Sequence, residues 1–105
     1  MEQAQLLKGV LELAVLAVIA RRETYGYEIL STLEQAGLDG VGDASVYGTL
    51  RRLEQAGHLT SRLEASDSGP ARKYYAVTPV GREQLRTGTE AWTRIGDALE
   101  RLIEP

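Results

Sequence analysis

The chain has 105 residues, about the size of one domain and too short for two substantial ones. With 26% charged and 43% hydrophobic residues and a formal net charge of −3, its composition is typical of a globular protein rather than of a disordered or fibrous one. It has no cysteine and one histidine, so neither a metal cluster nor a nucleophile with its base is expected, and we predict no metal, no cofactor and no enzymatic activity.

The first predicted element is a helix over residues 4–21, in which the run "VLELAVLAVIA" places apolar residues around most of the circumference. This run contains Glu12 and is shorter than the roughly 18 apolar residues of a spanning helix, so it predicts a core helix and no membrane segment. Such a helix is expected between layers or between subunits, with Leu7 and Leu11 at a dimer interface. The start "MEQAQ" lacks the basic region of a secretory signal, which favours a cytoplasmic protein.

The second helix is predicted over residues 25–36, with Thr24 as its N-cap and Gly37 as its end. Apolar residues recur along it at helical spacing: Tyr25, Ile29, Leu30 and Leu33. The glycine-rich stretch "GLDGVG" follows and predicts a short connection to the next helix.

The third helix is predicted to begin at Asp43 or Ser45, either of which can cap it, and to end at Gly57. Its buried face is formed by residues at helical spacing: Val46, Leu50 and Leu53. The outward face is small at its start and basic in its middle: Ala44, Gly48, Arg51, Arg52 and Gln55, with Ser45 and Tyr47 on the flanks. That pattern suits entry into a DNA major groove, where small or polar residues approach the bases and arginines pair with phosphate or guanine.

The basic face of the third helix has a second interpretation. Arg51 and Arg52 can also be ordinary solvated residues that pair along the helix with Gln55 or Glu54. On the helix pattern alone, both interpretations are open.

A β-hairpin is predicted next, with strands over residues 58–64 and 72–77 and a polar tip "ASDSGPA". Arg72 and Lys73 open the return strand. Two helices with a turn, followed by a hairpin with a basic shoulder, indicate a winged helix, in which one helix enters the groove and the hairpin contacts the flanking backbone. This order favours DNA over the solvated-face interpretation, although the chain is acidic, because most of the acidic residues lie outside residues 43–75.

The last helix is predicted to start at Thr78 and Pro79, a hydroxyl cap followed by proline, and to run to Ile103. Its seam of coiled-coil type is interrupted at Gly88 and consists of Leu85, Trp92, Ile95, Leu99 and Leu102. At about 1.5 Å per residue the helix is on the order of 37 Å long, more than a small domain covers, so it should pack against a second subunit. A two-fold dimer would place two recognition helices roughly 34 Å apart on a palindromic site. Residues 1–78 are thus the expected DNA-binding unit, and residues 79–105 the dimerisation helix.

The chain resembles the PadR family of transcriptional regulators over nearly its whole length. The matching stretches are "LLKGVLELAVLAVI", "YGYEI", "SVYGTLRRLEQAGHLTSR" and "RKYYAVTPVGREQL". The resemblance implies a mainly α (α+β) winged helix-turn-helix dimer of order α-α-α-β-β-α, usually a repressor. It further implies that DNA is contacted by Ser45, Tyr47, Arg51 and Arg52 of the third helix and by Arg72 and Lys73 of the wing. Gly48, which lies on the same face, departs from the proline that family members often carry there.

The single C-terminal helix resembles the compact branch of the family, some of whose members bind flat aromatic compounds between paired tryptophans. Two interpretations of Trp92 are therefore open: stacking on a small aromatic or apolar effector, or packing in the dimer core. For the whole protein we carry two hypotheses. The first is a homodimeric transcriptional repressor that binds double-stranded DNA and is released from it by such a ligand. The second is a winged helix that binds another protein and has no DNA role.

Overall fold

The computed structural model describes residues 2–104, so the first and last residues of the predicted domain bounds lie outside the described residues. It is mainly helical with a small antiparallel sheet, which confirms the predicted class and winged-helix architecture. The elements, in chain order, are α1 Gln3–Leu7, α2 Leu11–Arg21, β1 Thr24–Tyr25, α3 Gly26–Gln35, α4 Asp43–Gln55, β2 Leu59–Ser66, β3 Gly69–Val77 and α5 Pro79–Ile103.

The prediction of one continuous helix over residues 4–21 is wrong, because the chain leaves the helical conformation between α1 and α2. Val10 has φ −122° and ψ 1°, and its amide donates to the carbonyl of Leu7 at 3.0 Å. Gly9 precedes it, and glycine weakens a helix interior. The turn directs Leu7 into its own chain, where it is buried and lines a crevice with Leu11 and Val41.

Thr24 is not the N-cap of the second helix, as the sequence predicted. Thr24 and Tyr25 form β1, whose partners on β3 are Tyr75 and Tyr74. Thr24 is buried, and its hydroxyl donates to Glu28 Oε1 at 2.8 Å. Strand pairing with a distant segment has therefore overridden the local cap signal, and α3 starts one residue later than the predicted bound, at Gly26.

Helix α4 is preceded by Gly42 as N-cap, so neither Asp43 nor Ser45 caps it. Gly42 supplies its carbonyl, which accepts from the amides of Ser45 and Val46. The C-terminal end is as predicted, because Gly57 has φ +81° in the left-handed region that favours glycine.

The core lies where α2, α3 and α4 meet the sheet. The predicted buried face of α4 is confirmed, since Val46 and Leu50 have no exposed area and Leu53 is buried. The remaining members of this cluster are Val15, Leu16, Ile19, Ile29, Leu33, Leu59 and Tyr75. Partly buried residues of α2, α3, β3 and α5 pack around the cluster, so α2 lies between layers, as its all-round apolar pattern predicted.

The wing is a longer hairpin than predicted, because β2 and β3 extend to Ser66 and Gly69 and leave only Asp67 and Ser68 at the tip. The sheet order is β1-β3-β2, and the pairing of β2 with β3 shifts register between Glu64 and Ser66. The wing therefore projects beyond the core, and Leu63 on it is 72% exposed.

The start of α5 is fastened to the end of α4. Thr78 caps α5 as predicted, with its Oγ1 accepting from the amide of Gly81 at 3.0 Å. The same hydroxyl donates to the carbonyl of Gly57 at 2.6 Å. A Cβ at Gly81 would collide with the carbonyl oxygen of His58, so only glycine allows this approach. Within residues 2–104, no helix combines the length and apolar character that crossing a membrane requires.

Candidate nucleic-acid interface

The predicted contact residues of α4 lie on two flanks of the helix. Ser45, Gly48 and Arg52 line a cleft of about 280 Å³ against the start of α2, together with Lys8 and Glu12. Tyr47 lies on the other flank, in a cleft of about 530 Å³ that it shares with Arg72 and Lys73 of the wing. The structure therefore brings Tyr47 and the wing together and places Ser45, Gly48 and Arg52 beside the N-terminal helices.

Tyr47 is held by the start of α3. A Cβ on Gly26 would lie 2.5 Å from Cε1 of Tyr47, so the ring occupies the space that a side chain would need. Tyr27, one residue further along α3, lines the same cleft and is exposed. Sequence reasoning did not select Tyr25, Gly26 or Tyr27 for this site, although the aromatic motif "YGYEI" was the available signal.

The predicted cations of α4 differ in their partners. Arg52 Nε lies 3.4 Å from Glu12 Oε1, and Arg52 Nη2 donates to Thr49 Oγ1 at 3.1 Å. Arg51 is exposed, and its side chain makes no hydrogen bond or ion pair with any other residue that the structure describes. Neither arginine pairs along the helix with Gln55 or Glu54, because Arg51 has no partner among the described residues and the acidic partner of Arg52 comes from α2. The exposure of both side chains fits a solvated face as well as a DNA contact.

Arg72 and Lys73 are consecutive residues of β3, so their side chains lie on opposite faces of the sheet. The guanidinium carbon of Arg72 lies 4.5 Å from the centre of the Tyr25 ring, within the range of a cation–π contact. Lys73 lies on the α4 side, with Nζ 3.4 Å from Glu54 Oε1. Arg62 on β2, which the sequence did not select, is neutralised by Glu23 and Glu64.

Glu54 joins α4 to both long strands of the wing. Its Oε2 accepts a hydrogen bond from Ser61 Oγ of β2 at 2.5 Å, and its Oε1 faces Lys73 of β3. The Ser61 hydroxyl, together with Lys73, lowers the pKa of the Glu54 carboxyl against the opposing effect of partial burial. The side chain is thus held as a carboxylate between helix and wing.

The seam predicted for dimerisation is exposed over most of α5. Trp92 is 58%, Ile95 60%, Leu99 50% and Leu102 77% exposed, whereas Leu85 packs against the core. Of the N-terminal candidates, Leu11 is half-buried and Leu7 is buried within its own chain.

Trp92 and Ile95 border an apolar groove of about 280 Å³ between α2 and α5. Glu12 is the one charged residue of its lining. Gly88, which interrupts the seam, lies here against α2, since a Cβ on it would be 2.9 Å from Leu13 Cδ1. Glycine at this position therefore permits the two helices to approach.

Known proteins resemble this chain in both sequence and fold. The sequence profile of the transcriptional regulator PadR-like family matches residues 15–87. The fold is similar to the crystal structure of a PadR-like transcriptional regulator from Bacillus cereus, with 37% identity, a TM-score of 0.86 and coverage of 96% of this chain and 98% of that one. A PadR family regulator from Eggerthella lenta gives 32% identity and a TM-score of 0.86, with coverage of 96% and 88%. An uncharacterised protein of Lysinibacillus sphaericus is 24% identical over 99% of this chain and 97% of its own length.

Proposed function

The chain belongs to the PadR-like family of transcriptional regulators, and we propose that it acts as a homodimeric repressor at a palindromic site in double-stranded DNA. The observation that carries the proposal is the outward face of α4, where Tyr47 and Arg51 are exposed beside a projecting wing. Since the family consists of regulators rather than enzymes, DNA is the partner to which these residues are assigned, and no catalytic activity is assigned.

In this proposal α4 enters the major groove and the wing follows the adjacent backbone. The contacting residues are Ser45, Tyr47, Gly48, Arg51, Arg52, Arg72 and Lys73. Arg51 is the strongest candidate for direct contact, because it is exposed and has no partner among the described residues. Arg52 exchanges its carboxylate partner for a phosphate, which costs little because exposed ion pairs contribute about 1 kcal/mol or less. Lys73 keeps Glu54 as its partner, and the remaining donors of its ammonium group pair with a phosphate.

The proposed dimer is formed by residues 79–105, which pack on the equivalent helix and on the N-terminal helices of a second copy, while residues 1–78 bind DNA. The exposed seam of α5 supports this, because contiguous apolar surface on a small protein marks an interaction site. Two copies also supply the cations that one acidic chain lacks.

Trp92 has two proposed roles in the dimer. In the first, its ring and the groove beside Gly88 take a small aromatic or apolar effector that releases the repressor from DNA. In the second, the ring only packs against the partner subunit. Quenching of the single tryptophan by a planar dye supports the first role, and unchanged fluorescence supports packing.

The test is DNA binding as a function of salt. Wild-type protein is expected to bind a fragment from upstream of its own gene more tightly than random duplex, with affinity that falls steeply as salt increases. Replacement of Arg51 and Arg52 by alanine should weaken binding by about tenfold or more and reduce the salt slope, while the dimer stays intact.

A matched control uses the adjacent exposed pair Arg21 and Arg22, whose replacement by alanine changes the net charge equally outside the proposed surface. That variant should keep most of the affinity. Equal binding of the upstream fragment and random duplex at moderate salt would contradict the repressor and favour the protein-interaction hypothesis.

A further inference from the structure

Glu54 is the acidic residue of α4 that contacts both long strands of the wing, one with each carboxylate oxygen. Oε2 accepts from Ser61 on β2 at 2.5 Å, and Oε1 lies 3.4 Å from Nζ of Lys73 on β3. Ser61 and Lys73 are not a directly paired couple in the sheet register, because Ser61 pairs with Tyr75 and Lys73 with Leu63. The carboxylate therefore spans two steps of the hairpin on the face turned toward α4.

Besides Glu54, two cations tie the wing to the body of the domain: Arg62, which pairs with Glu23, and Arg72, which lies over the Tyr25 ring, but neither of them contacts α4. Up to the level of Ser61 and its partner Tyr75, the hairpin packs on the core through Leu59 and Tyr75, which are buried. Beyond that level Leu63 is exposed, and the residues from 64 to 73 are exposed except for Ser66. Glu54 thus contacts the wing at the level where burial ends and the projecting part begins.

Recognition by a winged helix requires that the helix and the wing fit one stretch of DNA together, since phosphate contacts fix register while base contacts read sequence. A side chain that fixes the angle between them affects specific binding more than non-specific binding, which depends mainly on the number of cations. A carboxylate at this position also repels phosphate, so its positioning effect and its charge effect have opposite signs.

We propose that Glu54 is a positioning residue that sets the wing against the recognition helix and thereby determines the preference of the protein for specific over non-specific DNA. This rests on the proposed DNA-binding function. Glu54 itself makes no DNA contact in the proposal. Its hydrogen bond with Ser61 fixes β2 against α4, and its ion pair with Lys73 keeps that side chain on the α4 side of the wing.

The experiment measures the affinity of Glu54→Gln, Glu54→Ala and wild type for two probes at several salt concentrations. One probe is a duplex of about 30 bp that the wild type enriches from a random library, and the other is random duplex of the same length. The glutamine variant keeps an oxygen that accepts from Ser61 and loses the charge that holds Lys73, whereas the alanine variant loses both. The ratio of specific to non-specific affinity should fall about threefold in Glu54→Gln and about tenfold in Glu54→Ala, with non-specific binding unchanged or tighter.

The matched control is Glu64→Gln, which removes one wing carboxylate that pairs with Arg62 and does not contact α4. It should leave the ratio unchanged. If Glu54→Gln and Glu64→Gln raise both affinities equally, Glu54 contributes only its charge, and the positioning role is wrong. If the wild type enriches no sequence, the proposed function itself fails, and the inference fails with it.

A second measurement does not need DNA. Because the chain has no cysteine, spin labels can be attached at Gln55→Cys on α4 and Asp67→Cys at the wing tip. The distance distribution between them should broaden when Glu54→Ala is added, while the thermal midpoint stays close to that of the labelled parent. An unchanged distribution would overturn the proposal even if Glu54→Ala weakens DNA binding.

Discussion

Helices α4 and α5 both carry an apolar stripe, but only the stripe of α4 is covered by its own chain. Leu50 of α4 has no exposed area, whereas Leu99 of α5 is 50% exposed. Both helices are amphipathic, but the length and heptad spacing of α5 had already predicted that one small domain would not cover its stripe. The folding of one chain therefore covers the stripe of α4, whereas it leaves most of the stripe of α5 open to the partner subunit of the proposed dimer.

The largest expected effect is a loss of folding stability when the buried stripe of α4 is changed. Leu50→Ala should lower the free energy of unfolding by about 2–5 kcal/mol, because the truncated side chain leaves a cavity in a fully enclosed site. Urea unfolding measures the change. Leu99→Ala is the matched control, since it removes the same atoms from a half-exposed site of α5 and should change mainly the concentration dependence of the transition. Equal losses at all protein concentrations would mean that both stripes are covered within one chain.

A smaller effect, on self-association, is expected when the exposed stripe of α5 is changed. Leu99→Asp places a charge in the proposed seam and should weaken self-association by about tenfold or more, since a buried unpaired charge is costly. Sedimentation over a range of concentrations measures the change. Leu63→Asp alters another exposed leucine, on the wing, and should leave association unaffected. Loss of association in both variants, or in neither, would remove the distinction between seam and wing.

Local patterns in the sequence predicted those features of the fold that depend on neighbouring residues. The spacing of Val46, Leu50 and Leu53 indicated the buried face of α4, and the pair Thr78 and Pro79 indicated the start of α5. The break after Leu7 and the strand at Thr24 were missed, because each depends on contacts made elsewhere: Leu7 lines a crevice with Val41, and Thr24 pairs with Tyr75. Tertiary contacts overrode helix propensity after Leu7 and an N-cap signal at Thr24.

In the candidate interface, too, the sequence predicted what depends on neighbouring residues and missed what depends on contacts between distant segments. Helical periodicity identified which residues of α4 point outward, but it could not show which of their charges are already paired. Arg52 meets Glu12 from α2, and Glu54 meets Ser61 and Lys73 from the wing, so these pairings appear only when separate elements come together. The predicted DNA contacts remain predictions. Among them Arg51 is a stronger candidate than Arg52, because Arg52 is already paired with Glu12 and Arg51 has no partner among the described residues.

The smallest expected effect comes from replacing one glycine in each helix, Gly48 in α4 and Gly96 in α5. A Cβ at Gly48 of α4 would lie 3.6 Å from Arg52 Nη1, an ordinary contact, and a Cβ at Gly96 of α5 would meet nothing within 4 Å. Because alanine restricts the unfolded chain and favours a helix, Gly48→Ala and Gly96→Ala should each raise the free energy of unfolding by about 0.5–1 kcal/mol. Only Gly48→Ala should weaken binding to the enriched duplex, because the added methyl lies on the face proposed to approach the bases. Thermal unfolding and DNA titration of both variants measure this, and full DNA affinity in Gly48→Ala would exclude Gly48 from the interface.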